Sequence, residues 1–148
     1  MAPVERIRRR LCKSERGKTM DSLTAWQPRV LSVLRIVSGL IFLLHGTQKL
    51  LGVPASTRAV EAFSLPWTAG VIEIVSGLAI LVGFMTRPAA FLASGTMAVA
   101  YWMAHAPRDI FPTNNGGDAA ILYCFIFLYF VFAGPGPWSI DAMMKKKG

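Results

Sequence analysis

A chain of 148 residues has room for one domain rather than two. Apolar residues make up 53% of it and charged residues only 16%, against about 25% charged in a soluble domain, which argues against a water-coated globule. The net charge of +8 gathers at the two ends, with no recognition motif or base-stacking aromatic beside it; it is read as membrane topology and contact with anionic lipid, and no nucleic-acid partner is expected.

Residues 1–29 are polar and basic, carrying Arg6, Arg8, Arg9, Arg10, Lys13, Arg16, Lys18 and Arg29. They read as a flexible cytoplasmic segment. The first apolar run starts too late and runs too long for a signal peptide. Met20 opens an ordinary-looking start, so residues 1–19 read as an extension that the fold can do without. Cys12 lies in this segment and Cys124 in the last apolar run. That separation argues against a disulfide, and there is no C-x-x-C to run dithiol chemistry.

Four apolar segments follow, at about 30–51, 67–84, 88–104 and 118–133. A helix needs about 20 residues to cross the hydrocarbon core. The first reaches that length and the fourth is short. Only Met85, Thr86 and Arg87 join the second to the third, which forces an antiparallel hairpin, and Pro88 suits a first helical turn. The predicted fold is all-α: a four-helix transmembrane bundle, antiparallel and up-down-up-down, occupying residues 30–141 and followed by a basic tail at 142–148. With both termini inside, twelve Lys and Arg face the cytoplasm and three (Lys49, Arg58 and Arg108) face out. Trp26, Trp67, Trp102 and Trp138 each fall at a predicted membrane boundary, where an indole keeps its ring buried and its N–H wet.

Ionisable groups within a span are costly and each asks for a reason. The first span holds Arg35, His45 and Lys49, and the second holds Glu73. At 100° per residue, Arg35, Gly39, Phe42, Gly46 and Lys49 share a stripe with His45 at its edge. Gly70, Glu73, Gly77, Ile80 and Phe84 share another, and the glycines admit a close neighbour. His45 and Glu73 each lie about 9 Å below the outer ends of their helices, hence level, with Lys49 a turn above. Tyr123 comes in at similar depth, and His105, Asn114, Asn115 and Asp118 close the top. This outer cluster is either internal glue or a site for a ligand or proton. Asn115 with its two following glycines reads as a turn, and Asp118 as a helix cap. Arg35 is expected to snorkel to inner-leaflet phosphates or to serve structure, as is Arg87 at the inner surface. No metal site is expected from two histidines without cysteines at ligand spacing.

These residues together resemble the DoxX family. The matching pieces are Leu34-Arg35, Gly39 through Gly46, Lys49-Leu50, Glu73 with Gly77-Leu78, and Gly83 through Arg87 with Ala89-Ala90. They continue with Asn115 through Asp118, Leu122-Tyr123, Gly134-Pro135-Gly136, Ser139 and Asp141. Asp118 stands where the family more often has Glu. The resemblance covers about residues 31–141 and implies a four-helix protein of the bacterial cytoplasmic membrane. Some members look like subunits of a quinone-linked oxidoreductase, others associate with oxidative-stress partners, and distant relatives act as assembly chaperones.

The expected function is therefore a membrane subunit of a redox-associated complex, binding a small molecule in an outward polar cavity. His45, Lys49, Glu73, Asn115, Asp118 and Tyr123 are the candidate ligand-binding or proton-handling residues. A quinone fits as the ligand, since proton exchange at its oxygens needs such groups. The chain has no flavin motif, iron–sulfur cysteines or complete catalytic motif of its own. The expected partners are the bilayer and a protein that supplies electrons or needs assembly. The alternative is a non-catalytic assembly or scaffold protein with the cluster as glue.

Overall fold

The computed structural model describes residues 3–55 and 60–146, with side chains from residue 22 onward. Arg58, Lys147, Cys12 and the basic side chains at 6–18, all part of the sequence reading, lie outside the described side chains. Every regular element among the described residues is helical. The order is α1 (Pro3–Leu51), α2 (Leu65–Val82), α3 (Thr86–Ala100), a π-helical turn (Tyr101–His105), α4 (Pro112–Asn115), α5 (Asp118–Ala133) and α6 (Ile140–Lys145).

Two stretches, Ser22–Leu51 of α1 and all of α2, are long and apolar enough to cross a membrane. α5 is a shorter apolar helix, and α3 has 15 residues extended by the π turn. α1 begins at Pro3, well ahead of the start expected at Val30.

Local chemistry sets the ends of α2. Ser64 takes the N-cap and accepts from the Trp67 N–H at 3.3 Å, and a proline occupies the first turn. Gly83 ends the helix at φ 73°, ψ 40°, a left-handed conformation that glycine adopts without a Cβ penalty. Phe84 therefore leaves the stripe predicted for it and is 43% exposed.

Glycines set the α1–α2 contact. A Cβ on Gly39 would lie 2.8 Å from the Leu81 nitrogen, on Gly77 2.9 Å from the Leu43 nitrogen, and on Gly46 2.8 Å from the Ile74 nitrogen. Gly70 sits against Leu50. As α1 advances, its partners on α2 recede, which is an antiparallel register with backbones touching. α2 packs on α3 and α3 packs extensively on α5, whose tie to α3 is the Ser94 hydroxyl donating to the Cys124 carbonyl at 2.8 Å. Phe42 joins the two pairs, its ring edge-on to Phe127 at 4.7 Å. The core comprises Phe42, Ile80, Ala90, Ala93, Met97, Tyr101, Ala120, Phe127 and Phe130. Outside it, Phe91, Leu122, Phe125 and Phe132 lie exposed on the outer faces of α3 and α5, an apolar coat suited to lipid.

Candidate functional site

The two ends of the helix pack differ in chemistry. At the end holding the α2–α3 link, Arg35 is fully buried. Its guanidinium donates to the Pro135 carbonyl at 2.8 Å, to Leu81 at 2.7 Å, and to the carbonyls of Ile80 and Trp138. Ile80 and Leu81 present carbonyls of the last turn of α2, at the negative end of its dipole; that of Ile80 also accepts from the Gly83 N–H at 3.1 Å. Arg35 does not snorkel: the turn after α5 closes over it, and its donors are taken up by protein carbonyls. Arg87 does the same for α5, donating to the Val131 carbonyl.

Asp141 caps the N-terminus of α3, where Met85 supplies no side-chain cap of its own. Its carboxylate accepts from the Met85 N–H at 2.9 Å and the Thr86 N–H at 3.0 Å. Burial pushes the Asp141 carboxyl up, but these backbone donors and the nearby Arg35 charge outweigh it and hold it below the usual aspartate range. Ser139 caps α6, accepting from Ala142 at 3.1 Å.

The opposite end is open. A cavity of about 840 Å³ lies where α1 ends and α2 begins. His45, Lys49, Glu73 and Tyr123 all line it, as do Gln48, Glu61, Met97, Ala100, His105 and Arg108. Lys49 reaches across from α1 and pairs with Glu73 Oε1 on α2. The Glu73 side chain is 2% exposed and that of Lys49 32%, so the pair has a dry end and a wet end. His45 meets the Tyr123 ring edge-on at 6.1 Å, and no hydrogen bond joins it to Glu73 among the described residues. The depth argument placed these four together correctly, and of the two partners open to Glu73 the structure selects Lys49.

The π turn brings His105 to the cavity wall, stacked on Tyr101 at 6.5 Å. Asn115 and Asp118 do not line the cavity. Asn115 is buried and shapes the loop, donating to the Asp109 carbonyl at 2.6 Å and accepting from the Gly117 N–H at 2.7 Å. Asp109 accepts from the Phe111 N–H at 2.8 Å and from Asn114 at 3.0 Å, and these donors hold its carboxyl below the usual range. Asp118 is the first residue of α5 rather than its cap, which is Gly117, and it still favours the helix dipole there.

Sequence reading missed Glu61, Gln48 and Arg108 as lining residues. Gln48 alone had a usable signal, three residues from His45 and next to Lys49 on α1. Glu61 and Arg108 arrive from loops, whose course no periodicity encodes. Cys124 is a free thiol.

Comparison with known proteins identifies the family. The DoxX family profile matches residues 30–106. An uncharacterized protein of Haemophilus influenzae is 43% identical over 134 residues, which span 86% of this chain and 100% of the relative. An uncharacterized membrane protein of Mycobacterium tuberculosis is 30% identical, covering 84% of this chain and 87% of its own length. The inner membrane protein YqjF of Escherichia coli is 28% identical over 78% of this chain and 92% of its own length. No solved structure matches the chain. With Arg35, Glu73 and the glycine seam placed inside the matched region, the chain belongs to the DoxX family and is an integral protein of the bacterial inner membrane.

Proposed function

We propose that this protein crosses the inner membrane four times with both termini in the cytoplasm, and that its outward cavity binds a small molecule on behalf of a redox-associated complex. The observation that carries the reading is the wet-ended Lys49–Glu73 pair beside His45 and Tyr123 in a cavity of about 840 Å³. A buried ion pair is poor value as stability alone, since desolvation offsets its attraction. At the wall of a cavity it supplies a fixed charge pattern and exchangeable protons. A quinone-like molecule suits such a wall, with its ring among Tyr123, His45 and Met97. The partner in this reading is a protein that carries the electrons.

The second reading, an assembly or scaffold protein, draws on the same pair, because Lys49–Glu73 also ties α1 to α2. Purification in mild detergent, followed by an absorbance spectrum and mass spectrometry of extracted lipid, separates the two. A stoichiometric quinone-like compound supports the first reading. A stoichiometric protein partner with no small molecule overturns it in favour of the second.

A further inference from the structure

A second cavity, of about 650 Å³, lies at the closed end, between the α2–α3 link and the turn that joins α5 to α6. Its charged lining is Arg87, Lys145 and Asp141, and much of the rest is apolar, with Pro88, Pro135 and Met144. The carboxylate is already committed, since both its oxygens accept backbone N–H groups at the start of α3. The two cations are not. Arg87 uses one of the five N–H donors of a guanidinium on the Val131 carbonyl, and neither it nor Lys145 forms an ion pair among the described residues. Both residues are exposed as well as lining the cavity, so a molecule there can reach them. Arg87 also stands in the first turn of α3, at the positive end of the helix dipole, where a cation is disfavoured and an anion favoured. Lys145 facing the same space adds repulsion that an anion between the two relieves.

The setting suits an amphiphile. α2 is long and apolar enough to cross a membrane and ends at Val82, so the link that follows falls at headgroup level. Trp138, Met143 and Met144 are exposed on and next to the cavity wall, with Lys145 following directly, the mixture of apolar and basic side chains that settles in a membrane interface. We propose that this cavity holds the headgroup of an anionic phospholipid, its phosphate between Arg87 and Lys145 and its glycerol and upper acyl chains against the prolines and Met144. The lining carries a formal charge of +1, from Arg87 and Lys145 against Asp141. That matches a headgroup with a single net negative charge and disfavours one that adds an ammonium. The site is apart from the outer cavity and does not depend on what that cavity binds.

Native mass spectrometry of the full chain in mild detergent reads this binding, with dioctanoyl phosphatidylglycerol and dioctanoyl phosphatidylcholine as the probes. Saturable binding of phosphatidylglycerol is expected, at least about fivefold tighter than that of phosphatidylcholine. Arg87→Gln and Lys145→Gln should each weaken it about fivefold, the usual worth of one basic residue at an anionic lipid surface. Lys146→Gln removes the same charge from a residue that does not line the cavity and should weaken it far less. A thermal melt checks that each variant is folded, and Lys145→Gln, at an exposed side chain, decides alone should Arg87→Gln fail to fold. Equal affinity for the two lipids, or equal weakening by Lys145→Gln and Lys146→Gln, reduces the effect to general surface attraction and overturns the site. Displacement of the lipid by inorganic phosphate at the same concentration makes the ligand a soluble phosphate and overturns the assignment to lipid.

Discussion

Single side chains at the two ends of this molecule are held by different logic, and their variants should separate accordingly. Glu73→Ala removes the partner of Lys49 at the dry end of the pair. Because Lys49 keeps about a third of its side-chain surface exposed, the stranded ammonium can rehydrate, and the loss should be about 1–3 kcal/mol rather than the larger penalty of a fully desolvated charge. Glu73→Gln should melt within about 1 kcal/mol of the native protein, since one hydrogen bond to Lys49 survives. Thermal unfolding in detergent measures both, and equal stability of Glu73→Ala and the native chain would show that the ion pair contributes nothing. At the closed end, Asp141 titrates below the ordinary aspartate value when folded. Its stabilisation is therefore complete above the unfolded value, about pH 4, and is lost as pH falls through the lower folded value. Asp141→Asn should lower stability at neutral pH by about 1 kcal/mol, the usual worth of an N-cap, and should flatten the acid limb of a melting-temperature profile. An unchanged acid limb would place that sensitivity elsewhere.

Between elements, contact distance outranks composition. Gly77 and Gly95 look alike in sequence, each within an apolar helix. A Cβ on Gly77 would press on the Leu43 backbone at 2.9 Å, whereas one on Gly95 meets nothing within 4 Å. Gly77→Ala must push α1 from α2 and should cost about 1–3 kcal/mol through overpacking. Gly95→Ala should be neutral or stabilising by up to about 1 kcal/mol, the helix-propensity gain over glycine. Paired melts of these variants test the seam directly, and equal effects would mean that the α1–α2 approach is looser than described. The same seam accounts for Arg35, because only helices this close let a side chain of α1 reach the last carbonyls of α2.

For the molecule as a whole, the proposed orientation places the 107–117 loop outside and the α2–α3 link in the cytoplasm. Thiol labelling checks it in a chain whose Cys12 and Cys124 are replaced by alanine. Thr86 is the obvious inner reporter from the sequence, but it is fully buried, whereas neighbouring Met85 is 57% exposed. Cysteine at Thr113 should react with a membrane-impermeant maleimide in spheroplasts, and cysteine at Met85 should react only after lysis. The reverse pattern would invert the topology and turn the cavity towards the cytoplasm, where a different class of ligand would reach it.

Hydrophobic run length and helical periodicity, both local properties, were enough to determine that this chain is helical, apolar outside and built for a membrane. They also placed α5 at Asp118–Ala133 and set His45, Glu73 and Tyr123 at one depth with Lys49 a turn above, because rise per residue converts sequence position into height. The ordered family motifs could be recognised in the sequence, but their division of labour could not. Arg35, Gly83, Arg87, Ser139 and Asp141 are far apart in the chain, and only the folded helix ends bring their donors and acceptors together. Tertiary structure likewise decided that Lys49 rather than His45 takes Glu73, and that Asn115 serves its own loop. Those outcomes depend on rotamer reach and on where orphaned backbone groups fall, which the spacing of residues along a helix does not encode.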